Sequence, residues 1–479
     1  MSFFNIIAAI GNVPNTTDDL MQHSIKNFGA LSDGTTDDKD AINQALLDYD
    51  TIYFEPNTLT IIGGAISIPS NKRIVIGINS EVKLKNGAAD YMFYNSDFVN
   101  GNTNITFEGE GITSIVNGNK QGIQSRRLVS PISDKSYYWG MGFLFYNVTN
   151  LIVKNFRINE TESYGVLHYA CNFATFEDIY ISQFPQGGNN GDGVSGISSN
   201  LTIRNISGYT NDDMVYIGSG GGSIGDVEMG LASIDVENIL VENITGEIKS
   251  GLKAWRGVRV SGRDNKRLDN VVINNVSGDF EYQAIELANF WPTSNPGLQL
   301  GTITMNGISR NPTGTARNTI GIFSCTIDTL ILNNVTANPN TPESTINLSS
   351  GTNLKITNLE VTNSSVVNES GSDIVSLIYD AANVTNITLD NNIFSSNPYS
   401  DLSGYIYRKT SNVNTRIFST NNQLIQNTIR KGIGLNGGNN LSVVGTDIYV
   451  DKSELTPATG DTVLDIDSGV VTYDGLNWN

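Results

Sequence analysis

One short phrase recurs along most of this chain, and it constrains the fold more than any other feature. Its form is roughly apolar-x-apolar-x-Asn-apolar-x-(Gly/Asn). Copies begin at Leu151, Phe176, Leu201, Ile239, Val271, Leu300, Leu330, Leu354 and Asn386. The copies recur at roughly 25 to 38 residues, a period that is typical of solenoids and arrays. Because a single copy cannot bury its own apolar face, the copies must stack on one another.

The phrase also indicates which kind of solenoid this is. Val, Ile, Thr and Leu alternate with polar residues in short runs, which is typical of β-strands and excludes helical repeats. A leucine-rich repeat would need a fixed Leu/Asn pattern with a helix in each repeat, and neither occurs. A right-handed parallel β-helix fits best, with Asn side chains in equivalent turns sharing amide hydrogen bonds. A pair of β-sandwiches is the alternative.

Charge and composition exclude several classes of function. Among 479 residues, 48 are Asp or Glu and 29 are Lys or Arg, a formal charge of -19 that argues against a nucleic-acid partner. No run of about eighteen apolar residues occurs, so we expect no membrane insertion. Two cysteines cannot form a disulfide framework, and no Cys/His cluster suggests a structural zinc site. We predict no metal and no cofactor.

Two segments near the N-terminus differ from the repeats. Residues 1–13 contain a short apolar run without a basic region before it, so we interpret residues 1–26 as a docking segment. A weak secretory signal is the alternative. Residues 37–49 place Ala41, Ile42, Ala45 and Leu46 at helical spacing after acidic residues, which predicts a short helix.

The start of the repeat region resembles a known superfamily. The sequence NFGALSDGTTDDKDAINQAL from Asn27 is followed by TIYFEP from Thr51 and ISIPSNKRIVIG from Ile66. This order of helix, Gly-Asp turn and Pro-bounded strands resembles the N-terminal start of the pectate-lyase-like β-helix superfamily. The resemblance implies an all-β, right-handed parallel β-helix whose short N-terminal helix caps the open end of the solenoid.

Six coils can be aligned on the aliphatic residue that should enter the core. The aligned residues are Val166, Val194, Val215, Val258, Ile285 and Ile320. Two positions earlier the column contains Tyr164, Asp192, Asp213, Arg256, Gln283 and Asn318. One position later it contains Leu167, Ser195, Tyr216, Arg259, Glu286 and Gly321. Because neighbouring strands lie about 4.8 Å apart, we expect Asp192 and Asp213 to lie side by side, with Asp212 next to them.

Three carboxyl groups in one small area suggest acid–base chemistry. Like charges this close raise at least one pKa, so one group can donate a proton while another activates water, as in glycoside hydrolysis. Two observations leave this open. The sequences NNGDG and TNDD are also ordinary turn sequences. In a regular strand Asp212 and Asp213 point to opposite sides, so both can serve one site only where the strand bends.

The same residues resemble the motifs of the polygalacturonase-type glycoside hydrolases, which are Asn-x-Asp, Asp-Asp, Gly-His-Gly and Arg-Ile-Lys. Asn190 and Asp192 match the first motif, Asp212 and Asp213 the second, and Arg259 the Arg of the fourth. The resemblance implies that Asp212 is the general acid, that Asp192 and Asp213 hold and activate the water, and that Arg259 binds a substrate hydroxyl or carboxylate.

The sequence departs from this family in two motifs. The region of the third motif reads GSGGGSIG from Gly218, without a His, and Ser261 replaces the Lys of the fourth. In the family, that Lys and the Arg bind a uronate carboxylate, so galacturonan itself is in doubt. Lys253, Arg256 and Arg263 could form a different basic patch, which leaves another acidic sugar open.

Further substrate-binding residues are predicted around the carboxylates. Aromatic rings suit flat sugar faces, although core packing is the alternative. The rings concerned are Trp255, Tyr282, Phe290 and Trp291. The predicted substrate-binding set is Asn190, Lys253, Trp255, Arg256, Arg259, Tyr282 and Glu286. A lone histidine on a β-rich face, such as His168, is usually a hydrogen-bonded surface or core residue and not a catalytic one.

The last part of the chain loses the repeat phrase after about residue 396. It ends in GDTVLDIDSGVVTYDGLNW, which resembles the closing segments of phage tail fibres and tailspikes. We therefore predict a β-helix over residues 27–395 and a small C-terminal β domain over 396–479 for trimerisation or carbohydrate binding.

With the features described above, the tailspike resemblance implies a homotrimeric depolymerase in the virion tail. Such a protein cuts bacterial capsular or O-antigen polysaccharide and docks on a phage tail adaptor protein through its N-terminal segment. Three alternatives remain: a secreted bacterial polygalacturonase-like hydrolase, a β-helix adhesin that binds glycans without cutting them, and a polysaccharide lyase.

Overall fold

The computed structural model describes most of the chain from residue 17 onward. The described ranges are 17–88, 90–120, 127–129, 136–138, 140–183, 191–220, 223–224, 227–228, 233–249, 253–262, 264–289, 298–311, 318–337, 344–349, 354–368, 376–380, 383–396, 405–409, 415–425, 433–435, 441–444, 449–450, 462–465 and 469–472. Within them the chain winds as a solenoid whose strands stack in parallel into three ladders.

The first ladder carries the columns aligned above. Its strands are Ile66–Ile68, Phe93–Asn95, Phe143–Tyr146, the start of Val166–Ser182, the start of Val194–Tyr209, Val215–Ser219, Val258–Gly262, Ile285–Ala288, Ile320–Phe323, Ile346–Ser349, Ser376–Asp380, Tyr405–Lys409 and Ile433–Leu435.

The second ladder contains most copies of the repeat phrase. Its strands are Thr51–Phe54, Lys72–Ile76, Asn102–Gly109, Val148–Asn159, the middle of Val166–Ser182 and of Val194–Tyr209, Val236–Gly246, Arg267–Gly278, Leu298–Ile308, Cys325–Ala337, Lys355–Thr362, Asn383–Asp390, Thr415–Thr420 and Leu441–Val444.

The third ladder is formed partly by the far ends of the long strands of the second. Its separate strands are Asp33–Asp37, Leu59–Ile62, Glu81–Leu84, Ile115–Asn117, Ser365–Asn368, Ile393–Ser396 and Gln423–Ile425. Among the described residues, three small sheets lie outside the ladders. They are formed by Arg127–Val129 with Ser136–Tyr138, by Ser223–Ile224 with Val227–Glu228, and by Tyr449–Val450, Thr462–Asp465 and Gly469–Thr472.

Alternation along each strand builds the core. In the second ladder Leu201 and Ile203 point inward and are almost fully buried, whereas Thr202 between them is partly exposed. The inward positions stack from coil to coil, so that Leu201 pairs in register with Ile239, and Ile239 with Val271. Each coil therefore covers the apolar face of its neighbour, which is the stacking that the repeat phrase predicted.

Asparagine forms most of the corners between the second and third ladders. Over ten consecutive coils the corner residue has a positive φ, between 51° and 69°. Those residues are Asn155, Asp178, Asn205, Asn243, Asn275, Gly307, Asn334, Asn363, Asn391 and Asn421. Asn and Gly tolerate this left-handed conformation better than other residues. Their amides also bond along the axis, since Asn243 donates to Asn205 at 2.8 Å and Asn275 to Asn243 at 3.0 Å. The predicted amide ladder is confirmed.

The predicted capping helix spans Lys39–Asp48 and buries Ile42, Ala45 and Leu46 in the core. It begins two residues later than the sequence pattern suggested. Asp38 does not cap it through its side chain, because that carboxylate accepts hydrogen bonds from the amides of Leu31 and Ser32 at 2.8 and 2.9 Å. The helix therefore stays attached to the loop before it.

The solenoid extends beyond residue 395, and the residues just before 27 pack against its first coils. Leu20 packs on Tyr53 and Val75, and Ile25 is buried, so the described part of the predicted docking segment contacts the first coils. Its residues 1–16 lie outside the described ranges. Beyond 395, the strands up to Leu441–Val444 still pair in parallel with the coil before them, because apolar alternation persists where the Asn phrase fades. In the described ranges no helix is long and apolar enough to cross a membrane.

Candidate active site

The first ladder brings the aligned columns together as expected. Val166, Val194 and Val215 pair in register, and Val215 pairs with Val258, which pairs with Ile285. The turns just before these strands are also hydrogen-bonded from one coil to the next. The Gly193 amide donates to the Asp213 carbonyl at 2.9 Å, and the Met214 amide to the Arg256 carbonyl at 2.9 Å.

Asp192, Asp212 and Asp213 each place a carboxylate oxygen within 4.8 Å of the others. All three residues are buried, at 6%, 9% and 2% exposure. A bend in the backbone resolves the problem that successive side chains of a strand point to opposite sides. The amides of Asn211 and Asp212 both donate to the Gly191 carbonyl, each at 3.1 Å, so the chain turns there before the strand begins.

Burial and mutual repulsion keep protons on this cluster. Removal from water raises the pKa of Asp192 well above its usual range, and the charges of Asp212 and Asp213 raise it further. Burial and Asp212 raise the pKa of Asp213 to about 7, although Arg256 and Arg259 act in the opposite direction. Because the groups are coupled, their protons belong to the cluster rather than to one residue. The cluster therefore retains a proton to higher pH than isolated aspartates do.

Two arginines and Glu286 close a ring of ion pairs with Asp213. Arg256 lies between the two carboxylates, with Nη1 3.1 Å from Asp213 Oδ1 and Nε 2.9 Å from Glu286 Oε2. Arg259 spans the same two groups, with Nε 3.3 Å from Glu286 Oε1 and Nη1 4.0 Å from Asp213 Oδ2. Each carboxylate uses one oxygen for each arginine, so the four side chains hold one another in place.

Ser195 and Tyr164 also belong to the site, although sequence reasoning did not select them. Ser195 Oγ donates to Asp192 Oδ2 at 2.7 Å. Tyr164 is 2% exposed and precedes Asp192 by one coil in the same column. Burial, together with the charges of Asp192 and Asp212, raises the pKa of its phenol. The sequence alignment of the coils could have identified both residues, because they occupy the same columns as the carboxylates and arginines of the site.

Three further predicted binding residues lie beside the ring. Trp255 is 36% exposed and meets Tyr282 edge-to-face at 5.6 Å, while the Arg256 guanidinium lies 5.3 Å from the centre of the Tyr282 ring. Trp255 thus offers exposed aromatic surface, whereas Tyr282 supports Arg256. Lys253 Nζ pairs with Glu281 Oε2 at 2.9 Å.

Not all of the predicted residues are described at the site. Asn190, Arg263, Phe290 and Trp291 fall outside the described ranges. His168 points into the interior of the solenoid and is fully buried, with Nδ1 2.8 Å from Ser198 Oγ and its ring stacked on Phe176. This agrees with a structural histidine. Three carboxylate oxygens within 4.8 Å are also an arrangement that can bind a divalent cation, whereas the sequence analysis predicted no metal.

No protein-family model matches this sequence, and no curated protein matches it either. Solved structures do match. The family 28 exopolygalacturonase of Yersinia enterocolitica has a TM-score of 0.53 and 12% identity, over 84% of this chain and 77% of that one. The N-terminal fragment of bacteriophage phi29 gene product 12 has a TM-score of 0.53 and 14% identity, over 88% and 72%. PfbA, a surface adhesin of Streptococcus pneumoniae, has a TM-score of 0.51 and 13% identity, over 95% and 97%.

The chain has the right-handed parallel β-helix fold. This confirms the fold that the resemblance to the pectate-lyase-like superfamily implied, and the β-sandwich alternative is wrong. At these identities the likeness concerns the fold and not the activity. The function of the β-helix therefore has to be argued from its site.

Proposed function

We propose that this β-helix is a glycoside hydrolase that cleaves a bacterial surface polysaccharide, capsule or O-antigen, within the glycan chain. The observation that carries the proposal is the cluster of Asp192, Asp212 and Asp213, whose oxygens lie within 4.8 Å of one another. Glycosidic hydrolysis needs a protonated carboxyl group beside an ionised one. The raised pKa values of Asp192 and Asp213 keep a proton on the coupled cluster, and the proposed mechanism has that proton on Asp212, with the negative charge on Asp192 or Asp213, in the reactive form.

The proposed roles follow the resemblance to polygalacturonases. Asp212 protonates the glycosidic oxygen, while Asp192 and Asp213 hold the water and take its proton. Arg256 and Arg259 keep Asp213 ionised for a larger part of the pH range, because both lower its pKa. Trp255 offers a partly exposed ring for a sugar face.

A place in the virion tail belongs to the same proposal. It is supported by the fold shared with the phi29 protein and by the resemblance of the C-terminal phrase to tailspikes. In this assembly three copies form a homotrimer, and the N-terminal segment docks on a tail adaptor protein. Light scattering on the purified protein tests the trimer, since a monomeric mass contradicts it.

The activity is tested by digesting a panel of purified capsular and O-antigen polysaccharides and following new reducing ends and product masses. Asp212→Asn should lower the rate by about 10²–10⁴-fold, as expected for a lost general acid, while glycan binding stays. A wild-type rate in this variant would show that Asp212 is not the acid. Products that absorb in the near ultraviolet would indicate a lyase instead.

A glycan-binding adhesin that does not cleave is the second candidate. The closed ring of Asp213, Arg256, Glu286 and Arg259 favours it, because a closed ion-pair network can be purely structural. On this reading Asn at 192, 212 or 213 changes glycan binding little, and no polysaccharide yields new reducing ends. The same digestion therefore separates the two candidates.

A further inference from the structure

The two arginines of the site are occupied by carboxylates of this chain. A guanidinium binds a ligand carboxylate through a pair of N–H groups on one edge. Glu286 lies against the Nε of both arginines, at 2.9 Å from Arg256 and 3.3 Å from Arg259. Asp213 lies against Nη1 of both, at 3.1 and 4.0 Å. A ligand carboxylate that approached the Nε or the Nη1 of either arginine would therefore have to displace one of these partners.

The charge balance of the site also disfavours an anionic ligand. Its described residues include five carboxyl groups, which belong to Asp192, Asp212, Asp213, Glu281 and Glu286. They include three cations, Lys253, Arg256 and Arg259, and each of these already forms an ion pair within the chain. Even with one carboxyl group protonated, this part of the site has no surplus of positive charge. A uronate would therefore enter a neutral or negative environment.

The next coils of the same column continue with amides. Gln283 is 4% exposed, and its Oε1 is buried without a hydrogen-bond donor in the described part of the chain. One coil further, the Asn318 amide donates to the Ser344 carbonyl at 2.6 Å, and Asn347 donates to Asn318 Oδ1 at 2.9 Å. A buried amide oxygen needs a donor, and a sugar hydroxyl is one.

We infer that the site accepts a neutral sugar unit, with a hydroxymethyl or methyl group where a uronic acid has its carboxylate. Glu286 is a positioning residue that directs Arg256 and Arg259 towards Asp213 and away from the ligand. The inference rests on the proposed function, because it assigns the class of sugar that the proposed hydrolase accepts. It departs from galacturonan, in agreement with Ser261 at the position where the polygalacturonase motif has Lys.

The test compares a matched pair of probes, trigalacturonate and galactotriose, which differ only in carboxylate against hydroxymethyl. Binding is measured by ligand-observed NMR at low salt for the wild type and for Glu286→Gln. The wild type should not prefer trigalacturonate. Glu286→Gln weakens the hold on the arginine edges and removes one negative charge, so its affinity for trigalacturonate should rise by about tenfold with little change for galactotriose. Glu360→Gln removes an exposed carboxylate of another ladder and should match the wild type.

Two results would overturn the inference. One is tighter binding of trigalacturonate than of galactotriose by the wild type. The other is identical behaviour of Glu286→Gln and the wild type towards both probes, because Glu286 would then not withhold the arginines from an anion. Circular dichroism confirms that Glu286→Gln is folded. Reducing-end release from the polysaccharide panel is scored separately, so a failure of hydrolysis is distinguished from a failure of neutral specificity.

Discussion

Arg256 Nη1 lies 3.1 Å from Asp213 Oδ1, so the cation of one coil neutralises the carboxylate of the coil before it. The two residues occupy the same position relative to their strands. Both side chains are largely shielded from water, at 12% and 2% exposure. Because screening by solvent is weak here, the pair strongly affects the protonation of Asp213.

Arg256→Gln should move the acidic limb of the pH–rate profile to higher pH. The proposed mechanism needs ionised Asp213, whose pKa is about 7 with the arginines present. Removing the nearer cation raises that pKa by about one unit or more. As the pH is lowered, the variant should therefore lose activity at a higher pH than the wild type does. The measurement is kcat/KM against pH on the polysaccharide that the wild type cleaves.

Arg259→Gln is the matched control for this shift. Its Nη1 is 4.0 Å from Asp213, compared with 3.1 Å for Arg256, so its removal should move the limb less. An acidic limb that stays in place in Arg256→Gln would mean that Asp213 is not the group that titrates.

Asp192→Asn should stabilise the fold at high pH. The pKa of Asp192 is higher in the folded state than in the unfolded state. Between these two pKa values the native state therefore binds more protons than the unfolded state. Its contribution to stability is present below the unfolded pKa and is lost as pH rises through the folded pKa. Thermal unfolding should therefore show a gain of about 0.5–3 kcal/mol at pH 8 and little gain at pH 4.

Asp33→Asn provides the opposite case. Hydrogen bonds from Thr35 and Thr36 lower the pKa of Asp33, so its stabilising contribution is present at neutral pH and is lost on acidification. This variant should be destabilised at pH 8 more than at low pH. Equal responses of the two variants to pH would contradict the burial argument for Asp192.

His168 should make the fold sensitive to acid. Burial lowers its pKa from 6.5 to about 3, so below pH 6.5 the unfolded state binds a proton that the native state does not. Stability should fall by up to about 3 kcal/mol between pH 6.5 and pH 4. In urea unfolding, His168→Leu should lose much of this dependence on pH.

Ser198→Ala is the control for that experiment. It removes the hydroxyl 2.8 Å from His168 Nδ1 but leaves the imidazole buried, so the dependence on pH should remain. The same dependence in His168→Leu as in the wild type would assign the effect to other groups.

Asn243→Ala should destabilise the β-helix more than Asn243→Gly. Asn243 has a φ of 57° and bonds to Asn205 and Asn275. Both variants lose these bonds, at about 0.5–1.5 kcal/mol each, but only Ala adds the strain of a left-handed backbone, about 1 kcal/mol. Urea unfolding measures both. Ala at least as stable as Gly would contradict the role of backbone conformation at this corner.

Much of the site geometry could be predicted from periodicity. The aliphatic alignment from Val166 to Ile320 matches the register of the first ladder, because one apolar side chain of each coil must enter the core in line with its neighbours. That alignment is what places Asp192 and Asp213 side by side. The end of the solenoid was harder to locate from the sequence. The Asn phrase indicates the corners and fades near residue 396, whereas the apolar alternation that forms the strands continues beyond it.

The order of the side chains along the β-helix axis was thus determined by the sequence alone, because burial of the apolar face admits a single register. Only the tertiary structure decided which charges neutralise which. The bend at Gly191 and Asn211 that turns Asp212 towards its neighbours depends on backbone hydrogen bonds between coils. Glu286 closes the ring with Asp213 because arginine side chains are long enough to reach from one coil to the next, and no pattern in the sequence specifies where they point.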